Sequence, residues 1–508
     1  MGLSYNIMKH FVKENIMADV GRLQVQAFRG NTLTPVKDAR VTVIPRERYN
    51  RETAQIQTDI SGQTQVIDLV APPKELSLNP NNTTQQPYST CDVIVEAEGF
   101  ERFQVNGCQI LPDTVALQIC NLVPLGTPGG TNPAPGGNAT PGVGTINTGV
   151  GGTGAGTTGT GANTNGARDW WGREILQPTE IIEVPANRLF GNFPPKIPED
   201  PNKPLPPPPS GFVVLPEPVI PEFIVVHAGV PTNTAAPNYT VRFRDYIKNV
   251  ASSEIYATWD EKAIRANIYC ILSFTLNRIY TEWYRGKGYN FQITNSTAFD
   301  HAFTYGRNIF DNISRIVDEL FTTYIQRTGA KQPLLAQYCD GRQVQCPGWL
   351  TQWGSQALAE QGRTPFQILT NFYGGNIQLV QAKQVSGIPQ SFPGANLKVG
   401  STGPNVRTIQ TYLNRIAQNY PAIQRVAISG TYDQATADSV RTFQSIFNLP
   451  QTGIVDLATW YSISNIYVGV SKIAELRRSA QPTFETARFY PPLPYEGMIN
   501  VPNIKYPL

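Results

Sequence analysis

Residues 244–280 read RDYIKNVASSEIYATWDEKAIRANIYCILSFTLNRIY, and this stretch contains two consecutive helical patterns. The first predicts a helix from Asp245 to about Glu254, because four side chains recur at the spacing of one helix face. That face is formed by Ile247, Val250, Ala251 and Glu254. A second helix is predicted to begin near Trp259-Asp260-Glu261, where acidic side chains suit the positive end of the helix dipole. The pair lies at the centre of a predicted mainly helical α+β domain, residues 222–385.

Glu254 is the candidate acid of this stretch. Its carboxyl group points along an apolar stripe, and burial beside Ile247 and Val250 should raise its pKa. A raised pKa is what a general acid needs near neutral pH. The alternative is a glutamate at a helix C-terminus that bends back to solvent. Asp260 and Glu261 are explained more simply as residues of a first helical turn.

Two blocks of this region resemble the stage II sporulation protein D family. The first is the stretch around Glu254, and the second is QWGSQALAEQGRTPFQILTNFY at residues 352–373. The resemblance implies a lytic transglycosylase that cuts peptidoglycan, with Glu254 as its catalytic glutamate. The insert YTEWYRGKGYNFQITNSTAFD, residues 280–300, is similar to that of clostridial spore cortex-lytic enzymes, which implies spore cortex lysis during germination.

The implied reaction needs one carboxyl group. Glu254 gives its proton to the glycosidic oxygen and then, as a carboxylate, takes the proton of the muramoyl C6 hydroxyl, which closes a 1,6-anhydro ring without water. Candidate sugar contacts are Trp259, Tyr338, Gln352 and Trp353, because aromatic rings stack on pyranose faces and amides bond ring substituents. Each of the four is also a typical core residue.

Two positions depart from the family pattern, and the zinc site of some members is also in doubt. Tyr256 stands where a proline is frequent, and Asn267 stands where a glutamine is expected. Some members hold zinc through Cys and His, for which this chain offers only Cys339 and Cys346, with His227 or His301 distant in sequence. A disulfide or two free thiols is favoured over zinc, so the sequence predicts no metal and no cofactor.

The C-terminal unit, residues 394–468, resembles the three-helix peptidoglycan-binding domain. A generic three-helix bundle explains its apolar residues but not the order of the residues that match the pattern of this domain. These are Gly430, Tyr432, Thr436, Val440, Phe443, Gln444, Leu449, Gly453, Ile454, Val455, Thr459 and Trp460. The expected partner is the glycan strand of peptidoglycan.

Residues 21–124 show short alternating strands separated by turn signals, which predicts an all-β sandwich. Its pattern resembles the transthyretin-like, carboxypeptidase regulatory-like module, an accessory domain. Residues 125–221 are predicted to be a linker, first free of charge and rich in Gly and Thr, then rich in Pro. Between these two parts, residues 169–185 are either a docking strand or a processing region. Residues 1–20 and 469–508 form an extension and a Pro-rich tail. The sandwich and the charge-free part of the linker are also a hypothetical pro-region, removed by an activating protease.

Charge and hydropathy restrict the possible functions and locations of the protein. The net charge is +3 and no dense run of Lys and Arg occurs, which argues against nucleic-acid binding. No secretory signal and no apolar run of membrane-spanning length is visible, so we expect a soluble protein of the spore cortex or cell wall. Two other functions stay open at this point: a wall-binding scaffold without catalysis, and a hydrolase acting on the same glycan strands.

Overall fold

A computed structural model describes residues 18–30, 32–46, 53–125, 181–199, 217–344, 346 and 348–471. The chain is multidomain, with an N-terminal β-rich region, a mixed α/β middle region and a C-terminal helical domain. Most of the predicted N-terminal extension, the charge-free linker and nearly all of the C-terminal tail lie outside the described residues.

The N-terminal region forms two sheets. Its elements are β1 (Asp19–Arg29), β2 (Arg40–Pro45), β3 (Ala54–Gln57), β4 (Ile67–Ala71), the short helix α1 (Glu75–Leu78), β5 (Ser89–Glu96), β6 (Phe103–Ile110) and β7 (Val115–Leu122). Alternate residues of these strands point into one core, where Val25, Val41 and Val93 are fully buried. The predicted β-rich region is therefore present, while its likeness to transthyretin stays a prediction.

Both sheets are completed by strands from elsewhere in the chain. These are β8 (Ile181–Glu183) and β12 (Ile309–Phe310). The strand orders are β12-β7-β1-β4 and β3-β2-β5-β6-β8. Strand β8 runs parallel to β6 and pairs Ile182 with Val105, and β12 runs antiparallel to β7. The N-terminal region is thus joined to the middle region by hydrogen-bonded sheet edges.

Residues 181–199 differ from the sequence prediction, which assigned them to the linker but left a docking strand open for residues 169–185. They form β8 and then cross the middle region with Asn187, Arg188 and Lys196 buried. The sequence prediction relied on proline density, which sets local stiffness but does not report tertiary partners. The predicted linker therefore contains a structured segment.

The middle region surrounds the two predicted helices with short strands. Its elements are β9 (Phe223–His227), β10 (Asn238–Arg242), α2 (Phe243–Glu254), α3 (Glu261–Tyr280), β11 (Ile293–Thr294), β12, α4 (Asp311–Leu320), β13 (Thr323–Arg327), β14 (Tyr338–Cys339), β15 (Leu350–Thr351), α5 (Gln352–Glu360), α6 (Pro365–Tyr373) and β16 (Ile377–Gln381). A one-turn 3-10 helix, Arg285–Lys287, lies in the insert. Helix α3 is buried along most of its length, which explains its apolar run.

The start of α3 is fixed by its first residues. The Asp260 side chain accepts a hydrogen bond from the Lys262 backbone N–H at 2.8 Å, and Glu261 occupies the first turn. Such a cap satisfies one of the free N–H groups at a helix start. Both acids therefore have the helix-start role predicted from the sequence.

The C-terminal domain consists of α7 (Pro404–Ile416), α8 (Gln434–Ile446) and α9 (Leu457–Val470) around the fully buried Trp460. It packs against both other regions. The Tyr420 hydroxyl donates to the Leu33 carbonyl at 2.7 Å, and Arg242 Nη1 donates to Asn465 Oδ1 at 3.1 Å. The three regions therefore form a continuous set of contacts.

Candidate active site

Glu254 is the last residue of α2, and its carboxyl group is fully buried. The Ala302 backbone N–H donates to Oε1 at 2.6 Å, and the Tyr338 hydroxyl donates to Oε2. Arg188 Nη1 lies 3.6 Å from Oε2. The side chain thus does not bend back to solvent, and two donors and one cation fix its position.

The groups next to Glu254 have defined protonation states. Burial is the largest cause that raises the pKa of Tyr338 well above its usual value, and the nearby Glu254 carboxylate is the second. The Tyr338 hydroxyl therefore keeps its proton and donates. Burial is the largest cause that lowers the pKa of His301 well below its usual value, and the cations of Lys196, Arg188 and Arg278 act in the same direction. The neutral His301 ring stacks on the Tyr338 ring, with centroids 5.7 Å apart.

Gln352 lies against the main chain of the candidate acid. Its Nε2 donates to the Glu254 carbonyl at 3.2 Å. Its Oε1 is buried and has no hydrogen-bond partner within the described part of the chain. Gln352 begins α5, so this helix and α2 meet at Glu254.

Trp259 and Trp353 form an aromatic cluster beside this point. Their ring centroids are 4.9 Å apart, and Tyr256 packs edge-on against both. Trp259 also donates from Nε1 to the Ser77 carbonyl of the N-terminal region at 3.0 Å. The structure therefore brings Tyr338 and Gln352 into contact with Glu254, whereas both tryptophans are buried in a neighbouring cluster. Their sugar contacts stay predictions.

Residues 187–199, which we call the covering segment, lie across the candidate site. At one end, the Arg188 N–H donates to the Ser253 carbonyl at 2.8 Å, directly before Glu254. At the other end, both Glu199 carboxylate oxygens accept from Arg278, at 2.6 and 2.8 Å. Sequence reasoning missed these charged residues, and their only signal was the presence of charge in a Pro-rich stretch.

Lys196 is a second buried cation of the covering segment, after Arg188. Its Nζ donates to the Asp300 carbonyl at 3.0 Å and lies over the Phe274 and Tyr338 rings. Burial, followed by the Arg188 guanidinium, lowers the pKa of Lys196 to about 7, although Glu254 and Asp300 act in the opposite direction. The ammonium is therefore held in a site that disfavours its charge.

The loop that supplies the Ala302 N–H is fixed by Asp300. This fully buried carboxylate accepts hydrogen bonds from Arg278 Nε at 2.8 Å and from the Tyr284 hydroxyl at 2.6 Å. It also accepts from the backbone N–H and hydroxyl of Thr294. The predicted insert thus ends in an anchor that places one backbone donor against Glu254, a role that its sequence did not reveal.

Cys339 and Cys346 are joined by a disulfide directly after Tyr338. This settles the alternatives that the sequence left open, because thiols in a disulfide are not available as zinc ligands. Among the described residues, no cluster of three or more His, Cys, Asp or Glu side chains could hold a metal ion.

Residues 402–463 match the family model described as "Putative peptidoglycan binding domain". This is the C-terminal helical domain. The chain carries a peptidoglycan-binding domain. The match supports a cell-wall-related protein that binds peptidoglycan. Within the described ranges, no helix combines the length and apolar character needed to cross a membrane.

Two further comparisons add little. No curated protein matches the chain significantly. Among solved structures, a mutant catechol 1,2 dioxygenase from Acinetobacter radioresistens is 17% identical over 21% of this chain, with a TM-score of 0.14. The chain spans 44% of that protein's length, and so weak a likeness carries no argument about fold or function.

Proposed function

We propose that the protein is a peptidoglycan lytic transglycosylase that cleaves the muramoyl–glucosaminyl bond to 1,6-anhydro products. The observation that carries this proposal is the buried carboxyl group of Glu254, held by Ala302 and Tyr338 in a chain that also binds peptidoglycan. One fixed carboxyl group is sufficient for the anhydro reaction, because the attacking hydroxyl belongs to the substrate.

Each group would have one role in this reaction. Glu254 protonates the glycosidic oxygen as the C–O bond breaks, and its carboxylate then accepts the proton of the C6 hydroxyl as that oxygen bonds to the anomeric carbon. Ala302 N–H and the Tyr338 hydroxyl orient the carboxylate between the two steps. Gln352 positions the main chain of Glu254.

The finer parts of the proposal rest on the resemblance in sequence. They are spore cortex as the substrate, germination as the stage at which it is cut, and a transthyretin-like accessory domain. A further part, an N-terminal pro-region removed by a protease, rests on the charge-free linker instead. The extensive packing of the N-terminal sheets on the middle region supports a pro-region, since Asn308 and Gln109 exchange hydrogen bonds between the two.

A wall-binding protein without catalysis is the second candidate. It is favoured by one observation, the complete burial of Glu254 in the described state. A glycan hydrolase is the third, and it differs from the proposed enzyme only in its products.

Mass spectrometry of soluble products distinguishes the three candidates. The protein and a Glu254→Gln variant are incubated with purified peptidoglycan, with the exposed Glu98→Gln as the matched control. Anhydro-muropeptides from all but the Glu254→Gln variant support the proposal. Reducing-end products indicate a hydrolase. Retained wall binding with no product, including after removal of the N-terminal region by proteolysis, indicates a scaffold.

A further inference from the structure

A cavity of about 220 Å³ lies where the three regions of the chain meet. Its lining comes from the N-terminal sheets, the middle region and the C-terminal domain. Four of its apolar side chains are almost fully buried, namely Phe28, Leu117, Phe303 and Ile309. Pockets for drug-sized ligands measure about 300–1,000 Å³, so this cavity suits a smaller molecule. Glu254 does not line it, and the cavity is therefore separate from the candidate active site.

The charged side chains that line the cavity are mostly cationic. Four are basic and two are acidic: Arg242, Arg244, Lys248, Arg307, Asp245 and Asp318. Arg244 and Lys248 share one carboxylate, because Asp318 pairs with the first at 3.1 Å and with the second at 2.7 Å. The lining therefore carries more positive than negative charge, and it favours an anion over a cation or a neutral molecule.

Arg307 is a buried cation whose side chain contacts only neutral groups in the part of the chain that the structure describes. It donates to the Asn308 carbonyl at 2.9 Å, to the Ser253 hydroxyl at 2.9 Å and to Gln109 Oε1 at 3.2 Å. Burial is the largest cause that lowers the pKa of Arg307 to about 10. Buried charges in proteins are normally paired, so an anion in the cavity would supply the counter-charge that Arg307 lacks.

The two cationic positions are separated along helix α2. Arg307 binds to Ser253 of this helix, and Lys248 lies five residues before Ser253. At a rise of 1.5 Å per residue, these two points are about 7.5 Å apart along the helix axis. One small monovalent anion cannot contact both, whereas a molecule with an anionic group at either end can.

We propose that this cavity is a binding site for a small dicarboxylate with an apolar body. One carboxylate pairs with Arg307, and the other pairs with Lys248 and Arg244 in competition with Asp318. The apolar side chains of the walls contact the body of the molecule. The site goes beyond the proposed function, since it needs neither Glu254 nor peptidoglycan. Because all three regions line the cavity, the bound molecule stabilises their assembly.

Isothermal titration calorimetry of the full chain at low ionic strength tests the proposal. The probes are isophthalate, its one-carboxylate analogue benzoate, and the neutral isophthalamide. We expect isophthalate to bind, benzoate to bind about tenfold more weakly or worse, and isophthalamide not to bind, because each charge-assisted contact contributes to affinity. Absence of isophthalate binding would overturn the proposal, and so would equal affinities for isophthalate and either analogue.

Three variants test where isophthalate binds. Arg307→Met and Lys248→Met each remove one cation and should weaken binding about tenfold or more. Asp245→Asn removes an exposed lining carboxylate and should tighten binding about twofold. Lys383→Met, at an exposed position outside the cavity, is the control and should bind like wild type.

Denaturant midpoints of the free proteins show whether each variant folds. Asp245→Asn keeps the test decisive where a buried variant is unstable, because a loosened fold would weaken binding and not tighten it. Affinities equal to that of wild type in every variant that folds would place isophthalate elsewhere on the protein and overturn the proposal.

Discussion

Replacement of Lys196 by Met should change how the stability of the protein depends on pH. The Lys196 ammonium is buried among Arg188, Glu254, Asp300 and Arg278, and its pKa is lowered from 10.5 to about 7. Between these two values the unfolded chain carries a proton on Lys196 that the folded protein has lost. The free energy of unfolding must therefore rise with pH across this window, and below pH 7 the full cost of burying the charge remains.

The size of the effect follows from the two pKa values. Within the window, the free energy of unfolding rises by at most about 1.4 kcal/mol per pH unit. Because Lys196 is only half deprotonated at pH 7, the gain between pH 7 and pH 9 is about 2 kcal/mol. Met keeps a similar length and fills the space over the Phe274 ring, so the variant lacks this gain without leaving a cavity.

Denaturant unfolding at pH 7 and pH 9, followed by tryptophan fluorescence, measures the difference. Between pH 7 and pH 9, the contribution of Lys196 should raise the free energy of unfolding of wild-type protein by about 2 kcal/mol. The exposed control Lys37→Met should show the same rise, and Lys196→Met should lack it. The comparison isolates Lys196, since all other titrating groups are shared. An equal pH dependence in all three proteins would refute the assignment of Lys196 as a destabilised buried cation.

Three further predictions follow from individual contacts. Tyr338→Phe removes a donor to Glu254 and should lower the rate of product release about tenfold with little change in wall binding; an unchanged rate would contradict its orienting role. Asp300→Asn removes a charge partner of buried Arg278 and should lower the free energy of unfolding by about 3 kcal/mol. The exposed Asp438→Asn is the control and should have no measurable effect, so equal midpoints of the two variants in denaturant would contradict this prediction. Trp460→Ala should destabilise the C-terminal domain by about 3–5 kcal/mol and abolish sedimentation with peptidoglycan; retained sedimentation would place wall binding elsewhere in the chain.

The helix pair at the centre of the middle region could be predicted from the sequence because its signals are local. The spacing of Ile247, Val250 and Glu254 defines one face of α2, and the structure buries all three. The Asp260 cap acts on Lys262, two residues away. Interactions between residues so close in sequence can be predicted from a short stretch of the chain, without knowledge of the tertiary fold.

The environment of Glu254 could not be predicted in the same way. Arg188 and Ala302 reach it from distant parts of the chain, the first out of the predicted linker and the second from the loop directly after the insert. Strand β12 has two residues, too few for an alternating pattern, and it exists because β7 offers an open edge. Such features depend on pairing between distant residues, which periodicity does not report.

Tyr256 shows how a departure from a family pattern can be accommodated. Proline is frequent at this position in the family that the stretch resembles, and the structure instead buries the Tyr256 ring against Trp259 and Trp353. Burial and edge-on aromatic contacts stabilise this arrangement. The turn after α2 is therefore fixed by packing of the aromatic cluster, without the conformational restriction of proline.

The role of Glu254 is tested most directly by the product that the protein makes in water labelled with heavy oxygen. The protein is incubated with purified peptidoglycan in labelled water, beside the same protein carrying Glu254→Gln. We expect 1,6-anhydro-muropeptides without label from the first protein and no soluble product from the second. Labelled reducing-end products, or equal product from both proteins, would contradict Glu254 as the acid and base of a lytic transglycosylase.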